Sequence, residues 1–289
     1  MDTIDYLFSV IRLLRPEQWY KNLLVIVPLA FVGELLLWSA WWPVLIAFAG
    51  LCLLSSAGYI INDLHDAPED RRNPEKRRRP IASGVVGPYA ATIIFLVLLS
   101  VGTLALWSLT PWAALLGLVM LGFTTAYTIL LRNEPVLDVC MLSVNFVIRA
   151  AVGAIVLNVM LSSWLILCAF FLALVLSVGK RLAEVRLLGD NAHAHRKSLV
   201  YYTPENSLLL MGVASSILLL SYALYSFIHG PQALLVTLPF AFFAVMRHAM
   251  LATAGSQTAR HPHLLLLDWR MLGAVVIWGA LTMAILYLL

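Results

Sequence analysis

One apolar run follows another along this chain, each long enough to cross a bilayer, and that succession limits the fold more than any motif does. A hydrocarbon core about 30 Å thick needs roughly 20 consecutive apolar residues in helical form. Nine such spans can be read, at 23–40, 43–62, 88–108, 112–131, 138–158, 162–179, 207–228, 232–252 and 270–288. The runs are continuous and do not alternate, which argues against a membrane β-barrel. Only 12% of the 289 residues are charged, about half the usual fraction of a soluble domain. The expectation is an all-α, polytopic membrane protein: a nine-transmembrane-helix bundle forming one domain over 1–289, in contact with the lipid bilayer and with no nucleic-acid partner.

The distribution of charge sets an expected orientation. The segments after the first, third, fifth and seventh spans, and the C-terminus, contain no Lys or Arg. Basic residues concentrate in the N-terminus, in the other connections and in adjoining span residues, which marks those segments as cytoplasmic. The chain is thus expected in a bacterial inner (cytoplasmic) membrane, N-terminus inside and C-terminus outside. Asp2 and Asp5 stand where a secretory signal would be basic, so the start does not read as a signal peptide. Ile4, Leu7, Phe8, Ile11 and Leu14 recur at helical spacing, as in a short helix lying in the interface. The three cysteines show no metal spacing and read as small core residues.

The second span ends in "NDLHDAPEDRRNPEKRRRP". Asn62, Asp66 and Asp70 are spaced i, i+4, i+8, with Asp63 beside them. On a helix leaving the membrane the three share one face. Carboxylates with an amide oxygen are hard ligands suited to Mg²⁺, which commonly links a protein to substrate phosphates. The basic run that follows, with Lys76 and Arg79 as candidates, can pair with phosphate oxygens. Acids followed by bases suggest a magnesium–diphosphate site. The bland alternative is a solvated loop whose cations set topology or meet anionic lipid; it leaves the helically spaced acids unexplained.

This stretch resembles the first aspartate-rich motif of the UbiA superfamily of intramembrane prenyltransferases, N-D-x-x-D-x-x-x-D followed by R-x-x-x-x-x-x-R-P. The resemblance implies nine helices around a central cavity open to the cytoplasmic side, with connections 63–87 and 180–206 capping the active site. It also implies catalysis by Asn62, Asp66 and Asp70 and a metal shell drawn from Asn62, Asp63, Asp66 and Asp70. The second half departs from the common pattern. Where most members carry a second D-x-x-x-D, this chain reads "GKRLAEVRLLGD", placing Lys180 and Arg181 at the span's end. "RPEQWYKNLLV", "AYTILLRNEPVLDV", "NFVIRAAVGA" and "HRKSLVYYTPE" are similar to one branch of the superfamily. That similarity implies Mg²⁺-dependent transfer of 5-phosphoribose from phosphoribosyl diphosphate to a polyprenyl (decaprenyl) phosphate, in the service of cell-wall biosynthesis, with a homo-oligomer possible. An anionic acceptor needs no strong general base, which agrees with the expected lack of a His or Glu poised inside a span. The rivals are a prenyltransferase acting on an aromatic acceptor and a transporter of a phosphorylated solute. One-sided charge disfavours the transporter.

Other candidate substrate-binding residues have two readings each. Arg149, about 15 Å into the fifth span at the helical rise, either reaches a substrate phosphate or pairs with an acid. Asp138 is either that partner or a contact for ribose hydroxyls. Lys21 either approaches the phosphate site or snorkels beside Trp19 and Tyr20. Tyr127 is a possible hydrogen-bond donor, and Lys180 and Arg181 a possible anion site.

Overall fold

The computed structural model describes residues 3–74, 76–160, 162–189, 197–261, 264 and 267–288. Helices dominate, and no strand occurs among the described residues. Among the described residues, eight helices are long and apolar enough to cross a membrane. The apolar stretch 23–40 differs from the expected single span. After α1 (Thr3–Leu14), residues Pro16–Ile26 form a 3-10 helix and only Val27–Phe31 (α2) is α-helical. Pro16 and Pro28 supply no backbone N–H, so neither can donate to an α ladder.

The next helix, α3 (Trp38–Asp70), has 33 residues. At 1.5 Å per residue it runs about 50 Å, well beyond the roughly 30 Å hydrocarbon core. Its last turns therefore carry the acidic motif out of the apolar layer while remaining helical. Then come α4 (Pro88–Trp107), α5 (Pro111–Ala126), a π-helical turn over Tyr127–Leu131, and α6 (Leu137–Val156). The second half holds α7 (Ser163–Leu188), α8 (Pro204–Ile228), α9 (Leu238–Thr253), the short α10 (Gln257–Arg260) and α11 (Trp269–Leu288).

The chain divides into two compact units. The first comprises residues 1–29, 35–130 and 148–159. Here α3 packs along α4 through glycine: a β-carbon on Gly50 would lie 2.9 Å from Leu106 Cγ and 3.2 Å from the Gly102 carbonyl oxygen. Small residues at crossings are what membrane helices use to approach closely. Leu13 of α1, Ala57 and Ile60 of α3, and Ile81 and Val86 of the following connection share one buried cluster. That connection is therefore anchored to the bundle through its apolar end, with Arg71, Arg72, Lys76, Arg77 and Arg78 left exposed.

The second unit comprises residues 30–34, 131–147 and 160–289. Its core joins Val175, Val178 and Leu182 of α7, Met211 and Ala214 of α8, and Val245 and Ala252 of α9, with Tyr202 and Val139. Helix α7 runs nine residues past the expected span end at 179, so Lys180, Arg181 and Glu184 are helical. Asp190, His193, His195 and His263 lie outside the described residues.

Candidate functional site

In the first unit the end of α3 gathers the charge. Asp63, Asp66 and Asp70 are buried, at 2%, 8% and 2% exposure, and Asn62 is half-buried. Buried carboxylates require partners. Arg79, brought back by the turn after the 3-10 helix Lys76–Arg78, donates through Nη1 to Asp70 Oδ2 at 2.7 Å and to Asp63 Oδ1 at 3.2 Å. Arg15, between α1 and the 3-10 helix, donates to the same Asp63 oxygen at 2.5 Å. Lys76 is exposed.

The 3-10 helix lies along the same face of α3. The Trp19 indole N–H donates to Ser56 Oγ at 3.1 Å, and Asn22 Nδ2 meets Cys52 Sγ at 3.2 Å. Asn22 also accepts from Arg149 of α6, Nε to Oδ1 at 2.7 Å, and both side chains are buried. One helical turn on, Gly153 makes room for the Val25 carbonyl, which would stand 2.1 Å from an added β-carbon. Arg149 is thus held against the 3-10 helix, with Tyr20, Tyr59 and Cys52 as its electrostatic neighbours. Lys21 Nζ stands 5.9 Å from the Tyr20 ring centroid, within cation–π range.

Tyr127 is the first residue of the π-helical turn. Such turns are rare and often mark functional positions.

In the second unit, Asp138 at the start of α6 is fully buried and receives Arg181 Nε at 3.1 Å. The Tyr202 hydroxyl donates to its other oxygen and accepts from the Val136 N–H at 3.0 Å. Arg181 also donates to Glu184 at 3.0 Å, and Lys180 stands 3.8 Å from Glu184. The cation pair expected to serve an anion is therefore already engaged with acids of this unit. Burial, together with the Asp138 carboxylate, raises the Tyr202 phenol above its ordinary pKa.

Four side chains of these clusters carry no local sequence signal. Arg15 and Asn22 were visible in "RPEQWYKN", seven apart, with no indication that both fold onto α3. Tyr202 is one of several interfacial tyrosines in the sequence. His248, inside the expected span 232–252 but given no role there, is 1% exposed within α9, its ring against Gly179 of α7.

Metal fit can be judged from the donor set. Among the described residues no three or more His, Cys, Asp or Glu side chains form a metal cluster. Mg²⁺ seldom needs one, since one or two carboxylates together with substrate phosphates commonly suffice. Asp66 and Asp70 with the Asn62 amide oxygen supply hard donors along one helix face.

Comparison with known proteins places the chain in a family. The UbiA prenyltransferase family profile matches residues 24–269. The decaprenyl-phosphate phosphoribosyltransferase of Mycobacterium tuberculosis (strain H37Rv) is 34% identical over 250 residues, 84% of this chain and 82% of that protein. The enzyme of the same name from Corynebacterium glutamicum is 34% identical over 252 residues, covering 83% and 76%. Among solved structures, a UbiA homologue from Archaeoglobus fulgidus bound to GPP and Mg²⁺ superposes with a TM-score of 0.73. It shares 18% identity and covers 96% of this chain and 99% of its own. The chain, a multi-pass helical membrane protein, belongs to the UbiA prenyltransferase family.

Proposed function

We propose that this protein transfers 5-phosphoribose from phosphoribosyl diphosphate to a polyprenyl phosphate, decaprenyl phosphate being the model acceptor, and releases diphosphate. The observation that carries the reading is the buried aspartate face of α3 with Arg79 drawn onto it, in a chain a third identical to enzymes named for this transfer. The bond broken joins ribose C1 to the diphosphate oxygen. The bond formed joins C1 to a phosphate oxygen of the lipid. The acceptor is already an anion, so no proton need be removed, and His248 and Glu184 are not required as bases. Catalysis then rests on positioning and charge compensation.

Asn62, Asp66 and Asp70 would hold Mg²⁺, which when bound would offset the charge that builds on the leaving diphosphate. Arg79 and Lys76 would receive the diphosphate oxygens. Arg149 is proposed to bind a substrate phosphate from its seat on Asn22. The charge distribution supports a bacterial cytoplasmic membrane with the acidic motif on the cytoplasmic side.

Purified protein incubated with Mg²⁺, labelled phosphoribosyl diphosphate and decaprenyl phosphate tests the reading. A labelled lipid that requires all three components is expected. Product formed only from a prenyl diphosphate and an aromatic acid would replace this reading with the aromatic prenyltransferase.

A further inference from the structure

Two guanidinium groups converge on one buried oxygen. Asp63 Oδ1 accepts from Arg15 Nη2 at 2.5 Å and from Arg79 Nη1 at 3.2 Å, and the same Arg79 nitrogen reaches Asp70 Oδ2 at 2.7 Å. Charge alternates along Arg15, Asp63, Arg79 and Asp70. A carboxylate buried to 2% exposure and shared by two cations has its charge compensated before any metal arrives. With its charge already offset by two guanidinium groups, it attracts a divalent ion less than an uncompensated carboxylate would.

Arg15 is itself unusual. Its backbone is left-handed, φ 51° and ψ 59°, a conformation that costs a non-glycine residue of order 1–3 kcal/mol and persists only where the surroundings impose it. They do so here. The carbonyl of Leu14 accepts from the Ser56 hydroxyl at 2.8 Å. The Arg15 guanidinium lies 5.1 Å from the Tyr59 ring centroid. Ser56, Tyr59 and Asp63 follow one another at helical spacing on α3, and Asp66 and Asp70 continue that face. The strained turn thus directs the Arg15 side chain to Asp63, on the face that Asp66 and Asp70 continue.

We infer that Arg15 and Asp63 are positioning residues for the diphosphate ligand Arg79. Arg15 neutralises Asp63 and keeps it out of the metal shell. Asp63 in turn holds the Arg79 guanidinium beside Asp70, so that diphosphate meets a cation already in place. This rests on the metal–diphosphate reading of α3.

Binding measurements on the full chain in nanodiscs test it without turnover. Mn²⁺, read by electron paramagnetic resonance, stands in for Mg²⁺, and methylenediphosphonate serves as the non-transferable diphosphate probe. Asp63→Asn is expected to keep Mn²⁺ affinity within about two-fold and to weaken the diphosphonate about ten-fold, the equivalent of one charge-assisted contact. Asp66→Asn should lose Mn²⁺ itself by about ten-fold or more. Arg15→Ala should reproduce Asp63→Asn, the double variant should be no worse than either, and Arg15→Lys should recover part of the loss. Loss of Mn²⁺ by Asp63→Asn equal to that of Asp66→Asn would make Asp63 a ligand and overturn the inference. Unchanged diphosphonate binding in Asp63→Asn would also overturn it, and this near-isosteric variant decides alone if Arg15→Ala fails to fold. Wild-type protein that binds neither probe would overturn the metal reading along with it, whereas wild-type binding with ligand-like behaviour of Asp63→Asn overturns the inference only.

Discussion

Arg149 donates its Nε hydrogen to the side-chain oxygen of Asn22 across 2.7 Å, and the two are 127 residues apart in sequence. Both are buried. Hydrogen bonds to charged groups contribute about 1.5–3 kcal/mol, and more is lost when the charged partner is left without one. Asn22→Leu should therefore lower the thermal midpoint markedly in detergent, while Asn22→Asp, which keeps an acceptor and adds a counter-charge, should fold. Equal melting of Asn22→Leu and wild type would remove Asn22 as the seat of Arg149.

Tyr202 holds a strained turn. Val136 has φ 66°, and the Leu137 N–H donates back to the Pro135 carbonyl at 2.7 Å, closing a γ-turn around a β-branched residue. Such a conformation costs roughly 1–3 kcal/mol, and the Tyr202 hydroxyl, accepting from the Val136 N–H, helps to maintain it. Tyr202→Phe should reduce stability, and adding Val136→Gly, which tolerates positive φ, should restore much of it. Thermal melts of the three variants give the comparison; no recovery in the double variant would mean the turn is not what Tyr202 supports.

The His248 ring fills the space that a side chain at Gly179 would need. A β-carbon there would lie 2.3 Å from Nε2. Gly179→Ala should cost about 1–3 kcal/mol by overpacking. Combined with His248→Ala it should cost less than the sum of the two single changes, measured by denaturant or thermal unfolding. Additive losses would show that the two do not compete for one space.

Asp268 accepts two bonds from Arg247, Oδ1 from Nε at 3.2 Å and Oδ2 from Nη2 at 2.6 Å. The hydrogen bond from Arg247 holds its carboxyl below the ordinary value. A depressed folded pKa means that the pair stabilises fully above the unfolded carboxyl pKa, about 3.9. That contribution fades as pH falls through the lower folded value. Asp268→Asn should therefore melt below wild type at neutral pH and converge with it in acid. A constant gap between pH 7 and 3 would contradict the pairing.

Much of this was legible in the sequence, and what was not has a physical reason. Unbroken apolar runs announced the helices, since only helices and closed barrels satisfy backbone groups in hydrocarbon and a barrel would need alternation. The spacing of Asn62, Asp66 and Asp70 announced a shared face because α3 stays helical past the membrane edge. The stretch 23–40 misled because hydropathy is blind to the difference between 3-10 and α geometry. Partner choice was hidden for a different reason. Asp138 meets Arg181 and Tyr202, 43 and 64 residues away. No local pattern encodes pairs so distant. Arg15 was hidden too: just past the helically spaced Ile4–Leu14 stretch, it has a left-handed backbone and reaches Asp63, 48 residues away.

Asp66 offers the most direct test of the central claim. Labelled phosphoribose transfer to decaprenyl phosphate, followed over a range of Mg²⁺ concentrations, should be abolished by Asp66→Ala and little changed by Arg77→Ala, whose side chain is exposed. Near-normal transfer by the Asp66 variant, with an unaltered Mg²⁺ dependence, would contradict a metal held at the end of α3.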